Sequence, residues 1–406
     1  MRSSRGSSIA PFALAALMAA CGPDARVATA PTDGAAARAT APADRETAAA
    51  RWDVLTRLIV GRREAGPLGL SRTFALVSVA RYDAVIAAED AKVRGQHPSV
   101  AGAAARAAAD VLAGLYPVEG PVVQAQLAAD RAYFPGLPSE RDADFAAGED
   151  VGRRVAAAVL ARAATDRSNA VWTGTIPTGP GFWRNAPPPA QPLAPLWGQV
   201  RPWVMASGDQ FRPAAPPAFG SPEFLSSLAE VRHYADTRTP EQLAIAQFWG
   251  ITILNAGAPP GYFGALGLEM AARHHLDERQ TSRMLALVHM ATMDASIGCW
   301  DAKFAYWYIR PFQADPGITT PVGRPNFPSY PSAHSCLSAA GAGVLMGLFP
   351  EETNDLQAQV EEAGWARIYG GLHFDFDVTA GQDLGYSVAR LVLDHAPRGH
   401  EAIPLD

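Results

Sequence analysis

Residues 327–335 have the sequence F-P-S-Y-P-S-A-H-S, followed by a run rich in alanine, leucine and valine. Two prolines in this stretch favour an extended chain, and the apolar run favours a helix. Ser332 is of the type that caps a helix N-terminus. Free N–H groups and the helix dipole attract anions at such a start. The stretch therefore predicts a loop that enters a helix and binds an anion at the junction.

A second polar set follows about thirty residues downstream. Arg367 is followed by I-Y-G-G-L, His373, F-D-F and Asp377. The paired glycines break a helix and allow the backbone to approach a ligand closely. If a helix restarts near His373, Asp377 lies one turn further along the same face. Its carboxylate would then fix the imidazole tautomer and leave the other nitrogen as nucleophile or ligand.

A third set precedes both. Trp300, Lys303, Trp307 and Arg310 recur at intervals of three, four and three residues, which predicts one shared helix face ending at Pro311. The neighbouring residues are mostly aromatic, so the helix is apolar almost all round. Its two cations would be buried and would need an anionic partner.

Together the three sets supply three permanent cations, a hydroxyl group and two imidazoles. These groups can hold a tetrahedral oxyanion and attack or replace one of its oxygens, and phosphate and vanadate are the candidates. The chain carries a formal net charge of −6, so a basic pocket must be local. No long basic run is present, which argues against nucleic-acid binding.

The composition indicates an all-α protein. The chain has 406 residues, is 48% hydrophobic and 18% charged, and its apolar content is rich in alanine, the best helix former. We predict a multi-helix bundle with long ordered loops, as one domain over residues 46–400 with the oxyanion site within 296–380. Residues 170–220 are rich in proline, glycine and tryptophan and predict an ordered irregular segment packed over the helices. Predicted helices lie at 51–63, 71–88, 100–115, 120–132, 139–163, 222–234, 239–254, 263–275, 278–309, 335–348, 352–370 and 377–395.

The N-terminus has the pattern of an export signal. Two arginines precede an apolar run over 9–20 that is too short for a stable membrane anchor. Small residues before Cys21 resemble a bacterial lipobox, in which the cysteine is lipidated. We predict a signal peptide at 1–20 and a disordered tether at 21–45, with ordinary signal-peptide cleavage as the alternative. Either outcome predicts a periplasmic or cell-surface protein, touching a membrane through a lipid anchor only. Cys299 and Cys336 are expected to be free buried thiols.

The spaced pattern K-x6-R-P, P-S-x-H, R-x5-H-x3-D resembles the superfamily of type 2 phosphatidic acid phosphatases (PAP2) and vanadium-dependent haloperoxidases. The longer stretches F-P-S-Y-P-S-A-H-S and G-G-L-H-F-D-F-D are most similar to its soluble bacterial haloperoxidase branch. The resemblance extends over roughly residues 70–395 and implies the all-α bundle of that superfamily.

The resemblance also implies residue roles. The residues that would bind the oxyanion are Lys303, Arg310, Ser332, Ala333 through its N–H, and Arg367. His373 would ligate the vanadium of vanadate or attack phosphorus in a phosphatase, and His334 would be the acid–base group. Trp300 and Phe327 stand where that branch has aromatic residues beside the halide.

Two positions depart from the family pattern. Ala333 stands where glycine is common, and a left-handed backbone there would be strained. The stretch after Trp249 has the sequence G-I-T, where the haloperoxidase branch tends to carry an acidic stretch. A supporting carboxylate is therefore missing at that place.

Three functional hypotheses follow. The first is a vanadate-dependent haloperoxidase that oxidises halide with hydrogen peroxide. The second is a PAP2-type acid phosphatase that acts on a phosphate monoester through a phosphohistidine at His373. The third is a catalytically silent surface lipoprotein that binds phosphate. The aromatic residues Trp300 and Phe327 favour the first, while the halide, the organic substrate and the oligomeric state are left open.

Overall fold

A computed structural model describes residues 46–63, 66–187, 190–250, 259–398 and 400–405. The predicted signal peptide, the tether and Cys21 lie outside the described residues. The helices of the described chain, labelled in order, are α1 (Ala48–Arg63), α2 (Pro67–Val93), α3 (Val100–Leu115), α4 (Gly120–Tyr133), α5 (Phe145–Ala164), α6 (Pro222–Thr237), α7 (Pro240–Gly250), α8 (Pro260–Arg273), α9 (Glu278–Tyr306), α10 (Pro311–Ala314), α11 (Ala333–Leu348), α12 (Thr353–Tyr369) and α13 (Asp375–Asp394).

The predicted all-α class is confirmed. In the described ranges no β-strand forms, and extended pairing is limited to isolated bridges such as that between Phe182 and Tyr308. None of the described helices is long and apolar enough to cross a membrane. Both Cys299 and Cys336 are buried free thiols, as expected.

The long helix α9 is the centre of the molecule. It packs against α2, α11, α13 and α8. One large apolar core joins α8, α9, α11, α12 and α13, and a second joins α1, α2, α3 and α5. The alanine-rich sequence of α3 forms much of the second core, because small side chains let helix backbones approach closely.

Helix α13 lies unusually close to α11, which carries the predicted anion site at its start. Cβ atoms added at Gly381 and Gly385 would lie 2.6 Å and 2.3 Å from the carbonyl oxygens of Ser332 and Cys336. Only glycine permits this approach. The close packing brings the start of α13, next to His373, against the start of α11.

The segment 170–220 is irregular and ordered in its described part, as predicted, and it packs over α9. The buried Asp294 carboxylate on α9 accepts hydrogen bonds from the backbone N–H groups of Trp203, Val204 and Met205 at 2.7–3.0 Å. Burial raises the pKa of Asp294 to about 6, opposed by these three donors. One carboxylate thus holds three consecutive residues of this largely irregular segment against α9.

The end of α9 differs from the prediction. The helix stops at Tyr306 because Trp307 has a left-handed backbone with φ of 49°, and Arg310 is extended. Here Trp183 N–H donates to the Trp307 carbonyl and Ile309 N–H donates to the Gly181 carbonyl. The irregular segment therefore replaces the helical hydrogen bonds. The prediction that Lys303 and Arg310 share a helix face is wrong, although both are buried.

Candidate oxyanion site

A cavity of about 290 Å³ lies at the junction of α11, α12 and the loop before α13. The sequence-predicted site residues that line it are Phe327, Ala333, His334, Arg367 and His373. The remaining predicted residues Trp300, Lys303, Arg310, Ser332 and Asp377 lie behind this wall. The tertiary structure thus brings residues of all three sequence sets together at one cavity, some in its wall and the others directly behind that wall.

Lys303, in the last turn of α9, holds the loop that precedes α11. Its ammonium donates to the carbonyl oxygens of Pro328 at 3.0 Å, Ser329 at 2.7 Å and Pro331. An ammonium group has three donors, so all of them are used. Lys303 therefore contributes positive charge to the site from beneath the loop and does not present a free N–H to the cavity.

Arg310 has a similar position on the other side of the loop. Its Nε donates to the Phe327 carbonyl at 2.9 Å, and its NH1 donates to the Leu372 carbonyl at 2.9 Å. The same NH1 lies 3.2 Å from Nε2 of His373. Since a guanidinium only donates, Nε2 of His373 accepts and carries the lone pair.

The other ring nitrogen of His373 faces Asp377. Nδ1 lies 2.9 Å from Asp377 Oδ2, so the proton sits on Nδ1 and is donated to the carboxylate. His373 lies just before α13, and Asp377 lies in its first turn, so they are not on one continuous helix as the sequence suggested. The carboxylate nevertheless fixes the tautomer that leaves Nε2 unprotonated.

Ser329 completes this arrangement and was missed by the sequence analysis. Its hydroxyl donates to Asp377 Oδ2 at 2.5 Å, and Phe374 N–H donates to the same oxygen at 3.2 Å. Burial raises the pKa of Asp377 to about 7, and these donors together with the Lys303 cation oppose the rise. The serine follows a proline in the loop, and nothing in its spacing indicated contact with a residue 48 positions away.

Arg367 differs from the other two cations. Its side chain is 4% exposed and lines the cavity. Among the residues that the structure describes, none forms a hydrogen bond with its Nε or NH1. Burial lowers the pKa of Arg367 to about 10. A buried guanidinium with open donors costs free energy unless a ligand accepts from it, so Arg367 is the residue whose chemistry calls most directly for an anion.

The start of α11 forms another part of the wall. Ser332 caps the helix by accepting from Ser335 N–H at 3.4 Å, and Ala333 is the first helical residue. Ala333 does not have a left-handed backbone, so the strain considered for this position does not arise. First-turn N–H groups have no intrahelical acceptor, and these lie at the cavity.

His334 is half-buried and contacts a backbone carbonyl. Its Nε2 lies 2.8 Å from the Trp249 carbonyl oxygen. A carbonyl only accepts, so in the neutral imidazole Nε2 carries the proton and Nδ1 is the acceptor. Burial, followed by the Arg367 cation, lowers the pKa of His334 well below its usual value.

The two aromatic residues have different positions. Phe327 lines the cavity, and Trp300 is fully buried behind it with ring centroids 4.9 Å apart. The Trp300 indole N–H donates to the Leu193 carbonyl at 3.1 Å. Lys303 and Arg310 lie 5.2 Å and 5.0 Å from the Phe327 ring. Phe327 can therefore touch a bound molecule, whereas Trp300 supports the wall.

The site as a whole has an excess of positive charge. Burial lowers the pKa of Lys303 to about 8 and that of Arg310 to about 9, with the Asp377 charge opposing the change for both groups. Burial and the Arg310 cation also lower the pKa of His373 well below its usual value. Three buried cations beside one carboxylate and two neutral imidazoles suit a multiply charged oxyanion. The donor set therefore fits vanadate and phosphate equally.

Comparison with known proteins agrees with this geometry. Residues 283–398 match the model of the PAP2 superfamily. A crystal structure of a bacterial vanadium-dependent iodoperoxidase superposes with a TM-score of 0.74 at 22% identity, covering 84% of this chain and 94% of the other. A bacterial vanadium-dependent chloroperoxidase in its holo form gives a TM-score of 0.67 at 14% identity, covering 88% of this chain and 98% of the other. Its apo form gives 0.68 at 13% identity, covering 88% and 100%. No curated protein sequence matches the chain significantly.

The superfamily resemblance drawn from the motifs is therefore confirmed: the chain has the all-α fold of the bacterial vanadium-dependent haloperoxidases, and its C-terminal part carries the PAP2 superfamily signature.

Proposed function

We propose that the protein is a vanadate-dependent haloperoxidase that oxidises halide with hydrogen peroxide. The observation that supports its oxyanion-binding part is that the open Arg367 donors line the same cavity as His373, whose unprotonated Nε2 accepts from Arg310 in the ligand-free structure. Vanadate, when bound, would supply a Lewis-acid centre that activates peroxide towards halide.

The residues of the site would have separate roles in binding, metal ligation and proton transfer. Arg367 and the first-turn N–H of Ala333 would bind oxyanion oxygens, and Lys303 and Arg310 would add charge from behind the loop. His373 would be the vanadium ligand through Nε2, because Asp377 keeps the proton on Nδ1. His334, with Nδ1 unprotonated, would accept a proton from peroxide and return it later.

The aromatic wall supports a peroxidase over a hydrolase. Phe327 and the apolar residues of the cavity would exclude water from the reacting groups. A weakly hydrated halide tolerates such a wall better than a water nucleophile does. The halide itself and any organic acceptor are not defined by these contacts.

The test is bromide- and peroxide-dependent halogenation by purified protein after loading with vanadate. We expect turnover that requires vanadate and falls by at least about 1,000-fold in His373→Ala. His289→Gln is the matched control, because His289 is also buried with a carboxylate partner but lies away from the cavity. Protein with measured bound vanadate and no halide oxidation would contradict the proposal.

A phosphatase is the second candidate. The PAP2 match favours it, as does the sequence G-I-T after Trp249, where the haloperoxidase branch tends to carry an acidic stretch. His373 Nε2 would attack the phosphorus of a phosphate monoester while the P–O bond to the leaving alcohol breaks, and His334, after binding a proton from water at Nδ1, would give it to the leaving oxygen. Water would then attack the phosphohistidine, breaking its P–N bond and releasing phosphate. Hydrolysis of an aryl phosphate that is lost in His373→Ala, without halide oxidation, would select this activity. Wild-type protein that binds phosphate but shows neither activity, with the biological phenotype retained in His334→Ala, would instead indicate the silent phosphate-binding lipoprotein.

We further propose that the protein is exported and anchored through Cys21. The support is the sequence pattern before that cysteine. Metabolic labelling with a fatty acid, compared between the natural sequence and Cys21→Ser, would test it.

A further inference from the structure

The cavity extends from its buried cationic end to the protein surface, where a further arginine lies. Arg324 is exposed and lines the same cavity as the buried Arg367 and His373. No aspartate or glutamate is among the described residues that line this cavity. A protein with a formal net charge of −6 thus has a passage with cations at both ends and no carboxylate on its described wall.

Arg324 is held in place without neutralising its charge. Its Nε donates to the Thr320 hydroxyl at 2.9 Å, and its guanidinium carbon lies 4.8 Å from the centre of the Phe312 ring. Within the described ranges no carboxylate forms an ion pair with it, whereas other surface arginines such as Arg212 and Arg232 have aspartate partners. Stacking and one hydrogen bond orient the group and leave its terminal nitrogens to a ligand.

We propose that Arg324 is an outer anion-binding residue, which captures small inorganic anions at the mouth and passes them to the inner site. Halide, phosphate and vanadate share the chemistry that it recognises: one or more negative charges on a small ion. The proposal rests on the anion-binding part of the proposed function and not on halide oxidation. It adds a specificity residue that the motif pattern does not contain.

The expected effect is on the rate of entry. A single cation at the edge of a passage with low-dielectric walls raises local anion concentration, and we expect association to be about 3- to 10-fold faster than without it. The effect should shrink at higher salt, because the Debye length falls from about 30 Å at 0.01 M to about 8 Å at 0.15 M. Dissociation, which depends on the inner donors, should change little.

The experiment measures association of radiolabelled inorganic phosphate with the vanadate-free protein by rapid filtration. The variants are Arg324→Gln, Arg324→Lys and Arg154→Gln. Arg154 is an exposed arginine on α5 that lines a different surface depression, so its variant removes the same charge elsewhere.

Arg324→Gln should slow association about 3- to 10-fold at low salt. Arg324→Lys should retain most of the wild-type rate, and Arg154→Gln all of it. Thermal melting checks that each variant is folded.

Equal association rates for wild type and Arg324→Gln would overturn the proposal, as would equal slowing by Arg154→Gln. A second readout is the bromide KM, which should rise in Arg324→Gln while kcat stays within about twofold. If no halide is oxidised but phosphate association still depends on Arg324, the peroxidase assignment fails and the outer site stands. If wild-type protein binds no phosphate, both the inner site and the outer residue are refuted.

Discussion

Two buried charged clusters in this molecule contain similar side chains but differ in how the charges of their cations are compensated. The Asp53 cluster joins α1, α2 and α9 through Asp53, Arg57, Arg81 and His289. The oxyanion site also pairs a buried histidine with an aspartate, and also contains buried cations. Either could be mistaken for the other in a list of buried polar residues.

The difference lies in how the cations are compensated. In the Asp53 cluster the carboxylate lies 2.7 Å from Arg57 and 3.7 Å from Arg81. Burial alone would raise the pKa of Asp53. The His289 hydrogen bond and the two arginines outweigh burial and hold the pKa of Asp53 below its usual value. In the oxyanion site no carboxylate of the described chain lies within ion-pair distance of the three cations. The cations of the Asp53 cluster are therefore neutralised by a carboxylate of the fold, whereas those of the oxyanion site would be neutralised by a bound anion.

Space is the second difference. His289 stacks on Phe74 with ring centroids 4.7 Å apart, and a Cβ at Gly264 would lie 2.6 Å from its ring. No ligand can reach its free nitrogen. His373 lines a cavity, and its Nε2 lone pair faces Arg310. The same side-chain pair is therefore enclosed in one place and lines a cavity in the other.

The largest effect is expected from removing a balanced cation. Arg81→Met leaves the buried Asp53 carboxylate without one of its partners, which should lower the free energy of unfolding by about 3–5 kcal/mol. Chemical denaturation measures this change. The phosphate affinity of the folded protein should be unaltered, and unchanged stability would show that the cluster is not an internally compensated one.

The matched change in the oxyanion site is Arg367→Met. Phosphate or vanadate affinity should fall by about 100-fold, because two donors and a charge are lost from the ligand's surroundings. The free energy of unfolding without ligand should stay within about 1 kcal/mol of wild type or rise, because an uncompensated buried cation is removed. Equilibrium dialysis and denaturation of the same sample measure both. A large loss of stability would place Arg367 among the structural cations.

The pH dependence of stability gives a third test. Burial lowers the pKa of Lys303 to about 8 in the folded protein, whereas a lysine in the unfolded chain titrates near 10.4. Between these values the unfolded chain binds the extra proton, so the stability of the ligand-free protein should rise from pH 8 to about pH 10. Denaturation at several pH values should show a smaller slope in Lys303→Met. Saturating phosphate should also reduce the slope, because a bound anion keeps the lysine charged; equal slopes in all three would reject the assignment.

The smallest effect concerns Ala333, where related sequences suggested glycine. Ala333→Gly should lower the free energy of unfolding by about 0.5–1 kcal/mol, because glycine loses more backbone freedom in a helix. Phosphate affinity should be unchanged, since Ala333 already has a helical backbone and lines the cavity. A clear gain in affinity would mean that the methyl group obstructs the anion and that the family preference for glycine is functional.

Local patterns accounted for most of the fold. Alanine-rich and amphipathic runs predicted the helices of the described chain to within a few residues, apart from α10, both ends of α2 and the beginning of α5. The exception with consequences is the end of α9, where Trp307 adopts a left-handed backbone because residues 181–183 supply competing hydrogen bonds. Those residues are more than 120 positions away in sequence, and no local pattern contains them.

For the site, the motif spacing determined which residues belong together. Their residue types indicated an anionic ligand, because the three cations exceed the single carboxylate that the motifs supply. The sequence also placed Asp377 near His373, although it assigned them to one helix. The sequence could not show which of these residues line the cavity and which lie behind it. Whether a donor is free depends on hydrogen-bond partners from other segments of the chain.

The tertiary structure decided which donors remain open. Lys303 and Arg310 donate to loop carbonyls of residues 327–331, whereas Arg367 has side-chain N–H groups without a partner in the described part of the chain. It also revealed Ser329 on Asp377, the Trp249 carbonyl on His334, and Arg324 at the mouth. Residue identity sets the charge that a site can have, but hydrogen-bond saturation and access to solvent are properties of the packed chain.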